Sequence, residues 1–209
     1  MLDEVIGGEA VPFIPAAVEP GRVLGLVGPP GFGLTRLGLA LLAIRAQHGL
    51  VAAVDVRGWL CPAAAWEAGI APERLVVVRC PEKNPWAQVT AALLEGLAAV
   101  YAEVPPGMAE PVLRRLGALA RARRAALILR PLRGDLPSGL AYLHLSAGEV
   151  SWEGAGIGHG RIIRRRMTLL AAGKGTGGRE QVLEVEDDGT NALRVVSRLA
   201  LAEAGRAVG

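Results

Sequence analysis

Eight residues, Gly28-Pro-Pro-Gly-Phe-Gly-Leu-Thr35, stand between the strand-like run Arg22-Val-Leu-Gly-Leu-Val27 and an apolar helical run from Arg36 to Gln47. A chain that passes from a buried strand through glycines into a buried helix must lay that helix back across a sheet. Gly28, Gly33 and Thr35 fit the phosphate-binding pattern G-x-x-x-x-G-K-[ST], with Pro29, Pro30, Gly31 and Phe32 at the intervening positions. Leu34 occupies the lysine position. Such a loop works through backbone N–H groups at a helix N-terminus, which suit any anion, and through a lysine charge on the terminal phosphates. Leu34 leaves the first device and deletes the second.

The alternation continues. Leu50 to Val56, Arg74 to Cys80, Leu97 to Val104 and Ala125 to Arg130 read as strands; Ala63 to Gly69, Pro85 to Glu95 and Met108 to Arg124 read as helices. Short connections between them imply a parallel sheet with helices on both faces. After Gly134 the segments Ala141–Leu145, Glu149–Glu153, Arg161–Ala171 and Gln181–Glu186 are β-like and separated by glycine-rich turns, which predicts an antiparallel extension after Ala141. The expected organisation is an irregular lead-in over 1–19, one core domain over 20–190 and a tail over 191–209. The tail reads either as a helix capped by Asn191 or as a strand at Leu193–Val196 followed by a helix. As a helix it aligns Leu193, Val196 and Leu199 in one stripe suited to a partner's groove.

Composition narrows the class. The chain has 209 residues and a formal net charge of +3, enough for one well-packed domain. Its hydrophobic content is 51%, yet no apolar run approaches the roughly 20 residues that a membrane span needs. The opening Met-Leu-Asp-Glu is acidic where a signal peptide is basic. Cys61 and Cys80 lie outside any metal-ligand spacing, so no metal site is expected. A soluble, cytoplasmic protein is the expectation.

At this point the order of elements resembles a known family. The segment from Pro20 to Glu186 is similar to the RecA recombinase core, a P-loop NTPase fold. Ala53-Val-Asp-Val-Arg-Gly-Trp-Leu-Cys-Pro62 resembles that family's second core strand and turn. Asp55 keeps the aspartate of an Asp-x-Glu, while Arg57 falls on the water-orienting glutamate. The resemblance places Leu97–Val104 as the Walker B strand, with Glu103 nearest to its magnesium-linked acid. Pro131 falls near a glutamine that senses the γ-phosphate.

Leu34, Arg57 and Pro131 thus remove charge stabilisation, a water-orienting carboxylate and a phosphate sensor. Together they predict that the chain is not an enzyme and that its nucleotide site is vestigial, with no cofactor beyond weak ATP and magnesium binding. A short RecA-like core with a decayed nucleotide site resembles the actinobacterial ImuA-type subunit of the SOS translesion mutasome. That resemblance implies a non-catalytic accessory role in DNA damage tolerance. The implied partners are a Y-family polymerase-like adaptor and an error-prone polymerase. The alternative is an ATP-binding or DNA-dependent ATPase of the RecA recombination and repair type, with Arg36 as the nearest substitute cation.

Arginines supply candidate DNA contacts. Arg114 and Arg121 recur on one face of the helix over 108–124. Arg161, Arg164, Arg165 and Arg166 cluster on a strand, where Arg164 and Arg166 share one face and Arg165 takes the other. Arginine pairs bidentately with phosphate, so Arg114, Arg121, Arg161, Arg164 and Arg166 are the DNA-binding candidates, and any binding is expected to be sequence-independent. A solvated helix face and a charge-protected strand explain the same pattern. Trp152 and Trp59 are the tryptophans expected to face a partner.

Overall fold

The computed structural model describes residues 13–155, 160–188 and 193–199. Nine strands form one sheet: β1 (Val23–Val27), β2 (Val51–Asp55), β3 (Leu75–Arg79), β4 (Ala99–Val104), β5 (Ala126–Pro131), β6 (Leu143–Ala155), β7 (Gly160–Gly173), β8 (Gln181–Asp187) and β9 (Leu193–Leu199). The helices are α1 (Phe13–Ala16), α2 (Leu34–Ala46), α3 (Pro62–Glu67), α4 (Lys83–Gly96) and α5 (Glu110–Arg123). The strand order is β3-β2-β4-β5-β1-β6-β7-β8-β9. Every pairing from β3 across to β6 is parallel; β6–β7, β7–β8 and β8–β9 are antiparallel.

Helices cover both faces of the parallel half, so its strands read as unbroken apolar runs. Every residue of β4 and β5 is buried. One core layer joins Leu37, Leu39 and Leu41 of α2 to Leu24 and Leu26 of β1. The other joins Trp86 and Leu94 of α4 and Leu113 and Leu116 of α5 to Leu127 and Leu129 of β5. Gly38 lets α2 approach the sheet: a Cβ there would collide with the ring of Tyr101. In the antiparallel half the pattern changes to alternation. Met167, Leu169 and Ala171 of β7 point into the core and the residues between them do not.

Three expectations need correction. The parallel region does not stop at Ala141, because Leu143–Ser146 of β6 pairs in parallel with β1 while the same strand runs antiparallel to β7. The two segments at Ala141–Leu145 and Glu149–Glu153 are one strand, carried across a register shift between Ala147 and Val150. Of the two readings of the tail, the one that begins as a strand holds. Residues Leu193–Leu199 form β9 on β8, so the sheet runs through the expected boundary at 190. The side chains of Leu193, Val196, Leu199 and Arg161, and the turn holding His159, lie outside the described residues.

Candidate functional site

The C-terminal ends of β1, β2, β4 and β5 open onto a cleft of about 380 Å³, lined among others by Gly33, Thr35, Arg57, Trp59, Glu103 and Arg130. Clefts at the carboxyl ends of parallel strands are the usual ligand sites of open α/β sheets. Here the loop 28–33 leads from β1 into α2. Gly33 stands at the helix N-cap with φ 75°, a left-handed conformation that favours glycine. A Cβ at Gly33 would also strike the guanidinium of Arg165, which reaches over from β7.

The side chains around this loop are engaged with one another. Leu34, at the lysine position, is fully buried in the core beneath the cleft. Glu103 is 1% exposed. Its Oε2 accepts from the backbone N–H groups of Val56 and Arg57, at 3.1 and 3.2 Å. Its Oε1 accepts from Arg57 Nε at 3.0 Å, from Arg57 Nη2, and from Arg130 Nη1 at 3.4 Å. Arg130 Nη1 also donates to the Thr35 hydroxyl at 2.7 Å. One acid and one hydroxyl, the two groups best suited to a magnesium ion, are therefore bridged by a guanidinium.

Asp55 is likewise committed. Its carboxylate accepts from the backbone N–H groups of Gly58, Trp59 and Leu60 at 2.9, 3.2 and 3.0 Å. It holds the turn that carries Arg57 into the cleft. Arg57 stacks under Trp59, 4.8 Å from the ring centroid, and leaves that indole 71% exposed. Below the cleft lies Tyr101, fully buried; burial pushes its phenol above the ordinary value, while Arg130 beside it pulls the other way.

A second charged group closes the loop side. Asp187 Oδ2 accepts from Arg165 Nη2 at 2.7 Å and lies 3.0 Å from Arg36 Nε. Burial pulls Arg165 below the ordinary guanidinium value, with Asp187 opposing and Arg36 reinforcing the shift. Arg165 also lies 5.4 Å from the ring of Trp152, which is half-exposed.

The sequence-predicted residues divide accordingly. The loop 28–35, Arg57 and Glu103 converge on one cleft, and Asp55 lies behind it, holding the turn that brings Arg57 there. Pro131 is buried at the end of β5 beside Val104 and does not line it. Arg164 and Arg166 do share a face, and both pair with Glu186, at 3.3 and 3.0 Å. Arg114 is held by Glu110 and by the Ser138 carbonyl; Arg121 is exposed. Arg130 and Arg165 were not foreseen as members of the site. Arg130 was legible in principle, because an arginine ending an apolar strand needs a buried counter-ion, and Glu103 is its register partner.

The family comparison bears on the same elements. Residues 12–137 match the MT3502 N-terminal domain, a family named for a mycobacterial protein. The match spans more than half of the chain. The chain belongs to the MT3502 N-terminal domain family. The family span contains the loop 28–35, Asp55, Arg57, Glu103 and Arg130, whereas Trp152, Arg165 and Asp187 lie beyond it. Among curated proteins, none is detectably similar to the chain. Among the described residues no helix is long and apolar enough to cross a membrane, and no cluster of side chains is suited to a metal ion.

Proposed function

We propose that this chain is a non-catalytic, RecA-like accessory protein of SOS-induced DNA damage tolerance. In this reading it is a scaffold for translesion synthesis that assembles with a Y-family polymerase-like adaptor and an error-prone polymerase. The observation that carries the non-catalytic part is the bridge Arg57–Glu103–Arg130–Thr35. A magnesium nucleotide would have to displace a guanidinium from both the acid and the hydroxyl, in a site without its lysine. Removing one electrostatic element of this kind typically costs about 10²–10³ in rate. Membership of a family named for a mycobacterial protein is compatible with the actinobacterial resemblance. Direct contact with DNA falls to Arg114, Arg121, Arg161, Arg164 and Arg166 in this reading.

The test has two arms. Purified protein is expected to release phosphate from ATP no faster than buffer, with or without single-stranded DNA, and to co-purify with the polymerase-like adaptor from DNA-damaged cells. Turnover that persists through purification defeats the first part; a chain that never retains the adaptor defeats the second.

A second reading, a RecA-type ATPase with a displaced cation, is favoured by one distance: Arg130 Nη1 stands 2.7 Å from Thr35 Oγ1. Arg130, rather than Arg36, is then the substitute for the lysine. Arg36 is already paired with Asp187 and lies 3.6 Å from Glu67. An ATPase that disappears in Arg130→Ala and survives in Arg36→Ala would establish this alternative.

A further inference from the structure

A glycine loop of the 28–35 kind ordinarily takes a phosphate together with magnesium. The residues present fit the phosphate and not the ion. Magnesium needs oxygen ligands at about 2.0–2.1 Å in a near-octahedral array. The two oxygens best placed for it are the Thr35 hydroxyl and the Glu103 carboxylate. Arg130 Nη1 donates to both, at 2.7 and 3.4 Å, and Arg57 Nε donates to the same carboxylate oxygen at 3.0 Å. A guanidinium keeps its charge at every pH the protein meets. The place of the metal is therefore held by a permanent cation that belongs to the chain.

What an anion requires is still present. The N–H groups of Leu34 and Thr35 open α2 and have no intrahelical acceptor. Gly33 supplies no side-chain cap, and none of the described backbone groups accepts from them. Four arginines line the cleft, Arg36, Arg57, Arg130 and Arg165, against one acid, Glu103. Asp187 and Glu67 pair with Arg165 and Arg36 from outside the lining. Arg165 lies against Gly33, which returns to the loop the charge that Leu34 deletes. The Nε atoms of Arg130 and Arg165 are buried and have no partner among the described residues, so each retains a donor for an incoming oxygen. At the rim, Trp59 has one face on Arg57 and is 71% exposed. Its other face is a platform for a planar ring.

We infer that the cleft binds a nucleoside phosphate without magnesium, with the phosphate on the loop N–H groups and Arg165, the base on Trp59, and Arg130 standing where the metal would. The ligand is a free nucleotide or the 5′-phosphate end of a DNA strand, which share this chemistry. In an ordinary site of this kind the metal assists binding. Here it competes, because a magnesium-bound polyphosphate brings less negative charge to a cleft that already holds its cation. The inference goes beyond the mutasome reading and does not depend on it.

Isothermal titration of the full chain with ATP and with inorganic tripolyphosphate, first in EDTA and then in excess magnesium, is the test. ATP binds in EDTA, and magnesium weakens that binding by about tenfold. Arg165→Ala weakens ATP and tripolyphosphate alike by about tenfold or more, through the loss of a charge-assisted contact. Trp59→Ala weakens ATP by about tenfold and leaves tripolyphosphate as it was, a split that general loss of structure would not produce. Arg123→Ala, exposed on the helix layer across the sheet, changes neither. A 5′-phosphorylated oligonucleotide that binds more tightly than AMP assigns the site to a DNA end; one that binds more weakly assigns it to the free nucleotide. No binding of either polyphosphate in EDTA overturns the proposal, as does a requirement for magnesium or indifference to Arg165→Ala. The metal comparison uses the wild-type chain, so a folding defect in Arg165→Ala leaves it intact. Phosphate release, followed in the same samples, keeps the two readings apart: turnover defeats the non-catalytic one, and absence of binding defeats only this one.

Discussion

In the parallel half of the sheet, Asp55, Glu103 and Arg130 are all but removed from water and tied to partners fixed by the backbone. In the antiparallel half, Arg164, Arg166 and Glu186 form a ladder whose arginines keep more than a third of their side chains exposed. The same residue types thus serve two purposes. Buried pairs are costly to assemble and costlier to break, because removing one partner strands the other. Half-exposed pairs exchange readily with water and with salt. The cleft is therefore a rigid piece of internal structure, while the face of β7 remains free to trade its acidic partners for another anion.

That contrast can be broken most forcefully at Glu103. Glu103→Gln removes the acid that pairs with both Arg57 and Arg130, and is expected to cost about 3–5 kcal/mol in denaturant unfolding. A loss below about 1 kcal/mol would mean that the cleft is as adjustable as the β7 face. Next comes truncation after Gly189. It removes β9 and with it Val195, which is buried against the core. The expected loss is about 2 kcal/mol or more, read as an earlier thermal midpoint; an unchanged midpoint would show that β9 contributes nothing to the fold.

Asp187→Asn sharpens the comparison, since it sits where the two halves meet. It weakens the hold on Arg165 and Arg36, both mostly covered, for an expected loss of about 1–2 kcal/mol. The smallest effect belongs to Glu186→Gln. Its shift in melting midpoint should vanish when salt is raised, because the arginines it pairs with are already in contact with solvent. A salt-insensitive shift would place Glu186 in the same class as Glu103. In the DNA reading, removing Arg164 and Arg166 together should lower the salt slope of binding by about two units.

The sheet of the parallel half was legible because burial on both faces leaves a strong mark: Val51–Val54 and Ala126–Leu129 are continuous apolar runs between turns. The loop 28–35 was legible because glycine at a left-handed N-cap is hard to replace. Three features were not. β6 looked like two segments, since a register shift at Ala147–Val150 interrupts its alternation. β9 was ambiguous because Leu193-Arg-Val-Val suits a helix stripe as well as a strand, and only its pairing with β8 decides. The partner of Glu103 was missed because Arg130 is 27 residues away in the chain yet directly across the β4–β5 register. Pairings of that kind are set by topology, which local pattern does not encode.

β1 lies between β5 and β6 at the middle of the sheet, although it is the first strand of the chain. Its neighbours in register begin about a hundred residues later, at Leu127 and Leu143. During synthesis at about 5–20 residues per second, β1 and the glycine loop behind it wait on the order of 5–20 seconds before either edge finds its pair. Within the parallel half, the centre of the sheet is thus the last place where backbone pairing can be completed, and until β5 and β6 are made the growing chain carries an unclosed apolar strand. Holding that strand soluble is a demand on the cell's chaperones that the finished protein no longer displays.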